Sequence, residues 1–255
     1  MTAPDTGELL PRQRRHTLFF LEVIRDFSPV FLDTEVDMSG VLAHRAAALE
    51  SEGVRYATTA YVLRAAGRVL AKHPDANAAV RGGPRRLRIA HYPFVNGKVA
   101  LDRTLDGRRV VLGTIVPHVH ESGLPAIQEH LARVRDGDPE NLPEFDGVRK
   151  LHRAPWAEGR KAFRAAADSL ALRPHLNGTF AVTSLGHRAV DSFHSVGGTT
   201  TTFGVGRVLE RPVVREGRIV VAPVLRLSLA FDHRVIDGAE AADVLTEVKE
   251  ALESV

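Results

Sequence analysis

The sequence predicts one α/β domain built on a large mixed β-sheet flanked by helices. Three observations point there. The first half alternates helical and strand-like periodicities. The second half is dominated by long strand-like runs. The chain closes on an amphipathic helix in which Ala241, Leu245, Val248 and Leu252 recur at helical spacing. A length of 255 residues is ample for a buried core, and no repeat or low-complexity linker divides it. Residues 12–255 therefore read as a single domain. Residues 1–11, polar with two prolines, read as a flexible N-terminal arm.

The elements follow from local signals. Residues 12–27 carry a partial apolar helical face, stopped at Pro29. Val30, Leu32, Thr34 and Val36 alternate with polar residues as a strand through Asp37. Ser39 is expected to cap a helix that ends at Glu52, before Gly53. A second helix covers 58–72 and stops before His73-Pro74. Between Arg88 and Val116, strand-like runs are broken by turn signals at Asn96-Gly97 and Asp106-Gly107. Ser122 is expected to cap a third helix, with Pro125 in its first turn and Gly137 after its end. Residues 138–155 read as a surface excursion rich in proline and charge, and 156–172 as a basic helix. Strands are expected over 178–185, 199–209 and 218–231, and the last helix over 238–255.

Composition narrows the function. Apolar residues make up 44% and charged residues 25%, as in ordinary globular proteins. There is no cysteine, so disulfides, thiolate metal sites and a cysteine nucleophile are excluded. The apolar run 18–24 is interrupted by Glu22 and is too short to span a bilayer, and no signal-peptide pattern precedes it. A cytoplasmic protein with no membrane contact is expected. The net charge is +3, but the arginines are interleaved with acids and aromatics are only 6%, which argues against a nucleic-acid partner. His118 and His120, read as one face of a strand, lack a third ligand, and no metal site is expected. Gly204 and Gly206 sit in a strand and make no phosphate loop.

The most informative stretch is LSLAFDHRVIDGAEAADVL (227–245). Leu227, Leu229 and Phe231 alternate with smaller or polar residues, so a buried strand leads outward to Asp232-His233-Arg234. A histidine just past such a strand is rigidly held yet can face a cleft. Asp237 follows four residues later at a helix N-terminus, where a carboxylate is favoured. The plainer reading makes Asp237 a cap and His233 a turn residue.

The flanking residues decide between the readings. DHRVIDG (232–238) resembles the signature of the dihydrolipoamide acyltransferase components of 2-oxo acid dehydrogenase complexes, and its His-x3-Asp-Gly is similar to that of chloramphenicol acetyltransferases. PVFLDTEVDMSGVLAHR (29–45), AKHPDANAAV (71–80) and NGTFAVTSLG (177–186) resemble further family stretches in the same order. The resemblance implies a chloramphenicol acetyltransferase-like fold, with its active site at a trimer interface. It implies acyl transfer between thiols, with coenzyme A or acyl-CoA as substrate and no tightly bound cofactor. A lipoyl group would arrive only on another protein, so a lipoyl- or acyl-carrier protein is a possible partner. His233 matches the family base. Thr183 matches the hydroxyl that stabilises the oxyanion, with Ser184 beside it. Asp237 matches an aspartate that pairs with an N-terminal arginine, for which Arg15 is the positional match and Arg14 its neighbour. A solvated arginine cluster is the alternative. Asp232, Arg234 and Gly238 complete the motif in supporting roles.

This sequence also departs from the family pattern. No lipoyl or subunit-binding segment precedes it here, which suggests a stand-alone enzyme or a subunit that receives its acyl arm from another protein, and the family's apolar C-terminal tail has no match, so a homotrimer is expected rather than a cage. RRVVLGTIVPHVHES (108–122) replaces a Gly-Leu-x-x-Pro-Val run, and the 138–176 excursion is long. His187 and His194 flank a loop beside the Thr183 strand. Arg160, Lys161 and Arg164 are candidates for coenzyme A phosphates, against a solvated helix face. Two other functions stay open: an acyltransferase of specialised metabolism using a carrier-protein thioester or an amine acceptor, and a non-catalytic trimeric scaffold of a dehydrogenase complex.

Overall fold

A computed structural model describes residues 7, 9–83 and 85–255. The expected arm lies for the most part outside the described residues. In chain order the elements are α1 (Arg15–Val23), β1 (Pro29–Asp37), α2 (Ser39–Glu52), α3 (Thr58–Leu70), β2 (Ala79–Arg81), β3 (Arg88–Ala90), β4 (Gly97–Leu105), β5 (Arg108–Val116), α4 (Leu124–Asp136), α5 (Asp146–Arg153), α6 (Trp156–Asp168), α7 (Arg173–Leu176), β6 (Phe180–Ser184), β7 (Thr201–Arg215), β8 (Arg218–Asp232) and α8 (Gly238–Glu253). Short 3-10 turns flank α1 at both ends.

Six strands form one sheet in the order β1-β8-β7-β6-β4-β5, and β2 pairs with β3 separately. The sheet is mixed, because β6 runs parallel to both β7 and β4 while the other pairs are antiparallel. Asp106-Gly107 closes the β4–β5 hairpin with φ values of 50° and 70°, as a two-residue primed turn requires. Asn96-Gly97 is not a turn. Gly97 opens β4, and the buried Asn96 side chain ties the Pro174 carbonyl to the His118 amide.

Strand alternation puts Phe180, Val182, Phe203, Leu227, Leu229 and Phe231 in one buried cluster. Leu63 and Val69 of α3 and Ala241, Val244 and Val248 of α8 complete it. The helix caps differ from expectation. Asp37, rather than Ser39, serves α2: its Oδ1 accepts bonds from the Ser39 amide at 2.9 Å and hydroxyl at 2.6 Å. Gly123 precedes α4, and the Ser122 hydroxyl bonds the His118 carbonyl instead. His118 and His120 lie in the turn after β5, not on a strand, because the chain folds back there with His118 at φ 46°.

The excursion contains α5, which at eight highly charged residues was too short to stand out in the pattern. It packs on α1 through two imidazoles. His16 Nδ1 lies 2.9 Å from His152 Nε2, and His16 Nε2 lies 2.9 Å from the Val111 carbonyl oxygen. A neutral His16 donating to Val111 then accepts from His152. Burial, followed by the neighbouring His16, pushes the His152 pKa down to about 4. Burial likewise lowers that of His16.

At the far end of the sheet, β7 and β8 outrun their neighbours. Pairing with β1 stops at Val224 and pairing with β6 stops at Val205, while the two strands continue together to Arg215 and Arg218. On one face of this ribbon Val214, Ile219 and Val221 are 72%, 78% and 67% exposed.

Two outcomes are expected. Phe203, fully buried at the centre of the cluster, should cost about 3–5 kcal/mol of unfolding free energy when replaced by alanine, read by denaturant titration. The folded chain holds protons on His16 and His152 less well than the unfolded chain does. The stability they confer is complete above 6.5 and is lost as pH falls toward about 4. Thermal midpoints of wild type should fall across that window, and those of His152→Phe should fall less steeply.

Candidate active site

The alternation that buries Phe231 carries β8 to its end at Asp232, which is itself buried. There the chain turns sharply. The Asp232 carbonyl accepts the amides of Val235 at 2.9 Å and Ile236 at 3.3 Å, and the Asp232 amide donates to the Thr200 carbonyl at 2.9 Å. Its carboxylate accepts the Arg234 amide at 3.2 Å, Nε at 2.9 Å and a terminal guanidinium nitrogen at 2.6 Å. This pairing keeps the Arg234 guanidinium firmly charged, its pKa raised chiefly by the Asp232 hydrogen bond. His233 sits at the crest of that turn. Its amide donates to the Ser28 carbonyl at 2.9 Å, which ties the turn to the start of β1.

The His233 side chain is 46% exposed, with its ring tilted against Phe231. Nδ1 lies 3.5 Å from Asp237 Oδ1, an electrostatic contact rather than a tight hydrogen bond. A carboxylate on that side favours the tautomer that carries its proton on Nδ1, and Nε2 is then the acceptor. Asp237 stands at the N-cap position of α8 without capping it, and its side chain is 89% exposed. Gly238 opens the helix in open space.

Thr183 lies on β6 with a half-buried side chain. Phe180 and Val182 face the buried cluster, so Ala181 and Thr183 face the other side of the sheet. Ser184 points to the cluster side, and its hydroxyl accepts the Gly186 amide at 3.4 Å. Pairing between β6 and β4 ends at Val182, which leaves Thr183 where the sheet opens. Its hydroxyl makes no hydrogen bond among the described residues.

The structure does not bring Thr183 and His233 together in one chain. Thr183 stands opposite Gly204, and Gly204 opposite Ser228. His233 lies further along the chain beyond Ser228. At about 3.3 Å per residue and about 4.8 Å per strand step, the two sites are roughly 15–20 Å apart.

Arg15 does not pair with Asp237. Its guanidinium donates to the carbonyls of His152 at 3.3 Å and Ala154 at 2.8 Å and lies over the Trp156 ring. The physical reason is that α1 packs on α5 and α6, so Arg15 is engaged by the excursion, and Arg14 is exposed. The turn that carries His233 is fixed from within by Asp232 and Arg234, in the supporting place expected of them, with no Arg15–Asp237 pair beside it. The Ser28 carbonyl was not foreseen, because a backbone acceptor leaves no sequence signal. His194 lies 4.0 Å from Asp33 and edge-on to Phe31, beside β1, and His187 is exposed. Arg160 and Arg164 both reach Glu22 of α1, so the basic face of α6 is partly neutralised. Among the described residues no group of acids and histidines is arranged to hold a metal ion.

Known proteins share the fold of this chain. Residues 159–255 match the family model described as 2-oxoacid dehydrogenases acyltransferase (catalytic domain). The chain is 28% identical over 255 residues to the dihydrolipoyllysine-residue acetyltransferase component of the pyruvate dehydrogenase complex of Bacillus subtilis (strain 168), covering 98% of this chain and 50% of that protein. The chain therefore spans about half the length of the curated relatives it matches. A probable dihydrolipoamide acetyltransferase from Listeria monocytogenes superimposes with a TM-score of 0.73 at 19% identity, covering 99% of this chain and 96% of that one. A chloramphenicol acetyltransferase does so with a TM-score of 0.54 at 15% identity, covering 99% and 100%. Residues 159–255 thus match the model of 2-oxoacid dehydrogenase acyltransferase catalytic domains, and the chain as a whole has the fold of these solved structures, which chloramphenicol acetyltransferase shares.

Proposed function

We propose that this chain is a coenzyme A-dependent acyltransferase that moves an acyl group between coenzyme A and a dihydrolipoyl thiol carried by another protein, in the cytoplasm. One observation carries the reading: an imidazole held half-exposed at the end of a buried strand, with Nδ1 facing a carboxylate and Nε2 left to accept a proton. A protein without cysteine supplies no nucleophile of its own thiol type, and the substrate brings one.

The steps follow from that geometry. His233 Nε2 takes the proton of the incoming thiol as its sulfur attacks the thioester carbonyl carbon. A new C–S bond forms, and the carbonyl oxygen becomes an oxyanion that accepts a hydrogen bond from the Thr183 hydroxyl. The intermediate collapses, the original C–S bond breaks, and the departing thiolate receives the proton back from His233. Asp237 keeps the Nδ1 side of the ring turned toward its carboxylate. Asp232, Arg234 and Gly238 hold or open the turn. Because Thr183 and His233 are far apart within one chain, the acting pair comes from two copies, as in a homotrimer whose site lies between protomers. The acyl arm and its carrier protein are then supplied from outside this chain.

The test uses acetyl-CoA and dihydrolipoamide, with S-acetyl dihydrolipoamide read by mass spectrometry. His233→Ala should lose about 10²–10⁴-fold in turnover with its fold and oligomeric state intact. Thr183→Val should lose about 10²–10³-fold. Mixing the two inactive variants and letting subunits exchange should restore part of the activity, since mixed oligomers contain sites with both native groups. Near wild-type turnover by His233→Ala would overturn the mechanism, and transfer only to amine acceptors would move the assignment to another acceptor class.

A further inference from the structure

The segment 191–198, between β6 and β7, lies as a strap flat on the sheet face that carries Thr183. Two glycines of β7 make room for it. A Cβ on Gly204 would collide with the Phe193 carbonyl and the Ser228 hydroxyl, and one on Gly206 with the Asp191 carbonyl. Gly204 is the residue paired directly with Thr183, so the strap crosses the sheet one strand away from the hydroxyl.

The strap is fastened at two points by polar groups from the sheet, the buried Ser228 and the half-buried Lys98. Ser228, in register with Gly204 and Thr183, donates its hydroxyl to the Phe193 carbonyl at 2.6 Å. At the other end Lys98 of β4, opposite Ala181, reaches the Gly197 carbonyl at 3.5 Å and the Asn177 side-chain oxygen. Asn177 in turn donates to the Gly198 carbonyl at 3.0 Å, as Arg173 does at 2.6 Å. The Lys98 stem runs past Gly113, and its ammonium lies 4.8 Å from the centre of the Phe20 ring. Among the described residues no carboxylate lies within ion-pair distance of Lys98. An ammonium drawn in from water and answered only by carbonyl and amide oxygens and a ring is costly. Such a group is retained where it fixes one conformation.

We propose that the strap 191–198 is the wall of the cleft into which Thr183 presents its hydroxyl, and that Ser228 and Lys98 are positioning residues that fix it. The inference rests on the role of Thr183 proposed above. With the strap fixed, water is kept from the oxyanion position and the Thr183 hydroxyl keeps one orientation. With it loose, substrates still bind, but the donor is no longer preorganised. The Lys98 pin is also sensitive to pH. Burial, and then the neighbouring Arg173 of α7, lower its pKa to about 8. His16 of α1 also senses its charge.

The experiment compares wild type, Ser228→Ala and Lys98→Met as full chains in their native oligomer. Hydrogen–deuterium exchange reads the strap amides, and steady-state kinetics with acetyl-CoA and dihydrolipoamide read the chemistry. Strap exchange should rise about tenfold in each variant. The kcat should fall about tenfold while KM stays within about threefold. Above pH 8 the wild-type strap should loosen and its kcat decline as Lys98 loses its proton, and Lys98→Met should show neither change. If strap exchange is unaltered in both variants, the fastening is wrong. If it rises while kcat is unchanged, the wall has no part in the chemistry. If wild type transfers no acyl group at all, the acyltransfer reading fails separately, and exchange alone still decides the fastening. Should Lys98→Met not fold, Ser228→Ala carries both readouts.

Discussion

The carboxylate of Asp232 is the interaction on which the site depends. It sits buried at the end of β8 and gathers the backbone and guanidinium of Arg234 around itself. Everything upstream delivers it there: alternation along β8, pairing with β1 and β7, and the buried cluster under Phe231. Everything downstream follows from it, because the turn it closes fixes where His233 emerges and where α8 begins. A charged group can be held so far from water only with its hydrogen bonds filled. That requirement makes the turn stiff, and the stiffness holds His233 in one place.

The two ends of the candidate chemistry are borne by neighbouring parts of one sheet yet are held apart by its register. Thr183, Gly204 and Ser228 lie abreast, while His233 lies well beyond that line. A sheet is a poor spring. Neither group can travel to the other, so within one protomer they stand as two separate sites.

Much of this was legible in the residues. The alternation of Leu227, Leu229 and Phe231 marked a buried strand, and the spacing of Ala241, Leu245, Val248 and Leu252 marked the helix that covers it. Asp106-Gly107 marked its hairpin because few residues tolerate that backbone. The misses share a cause. Asn96-Gly97 looked like a turn, but its amide is spent on partners distant in sequence, Pro174 and His118. Ser39 looked like a cap, but its own amide and hydroxyl donate to Asp37 of the preceding strand. Arg15 matched a role by position, yet the long excursion claimed its guanidinium. Lys98 drew no notice, because nothing local shows that a lysine in a strand will be covered. Tertiary neighbours decided each case.

The β7–β8 ribbon has a consequence for the chain on its own. Its exposed valines and isoleucine continue the face that, further along β8, is the hydrophobic core, and both of its edges offer unpaired backbone groups. A two-stranded ribbon of this kind gains little from water. A protomer with this tip bare would therefore be adhesive there, prone to self-recruitment and clumping.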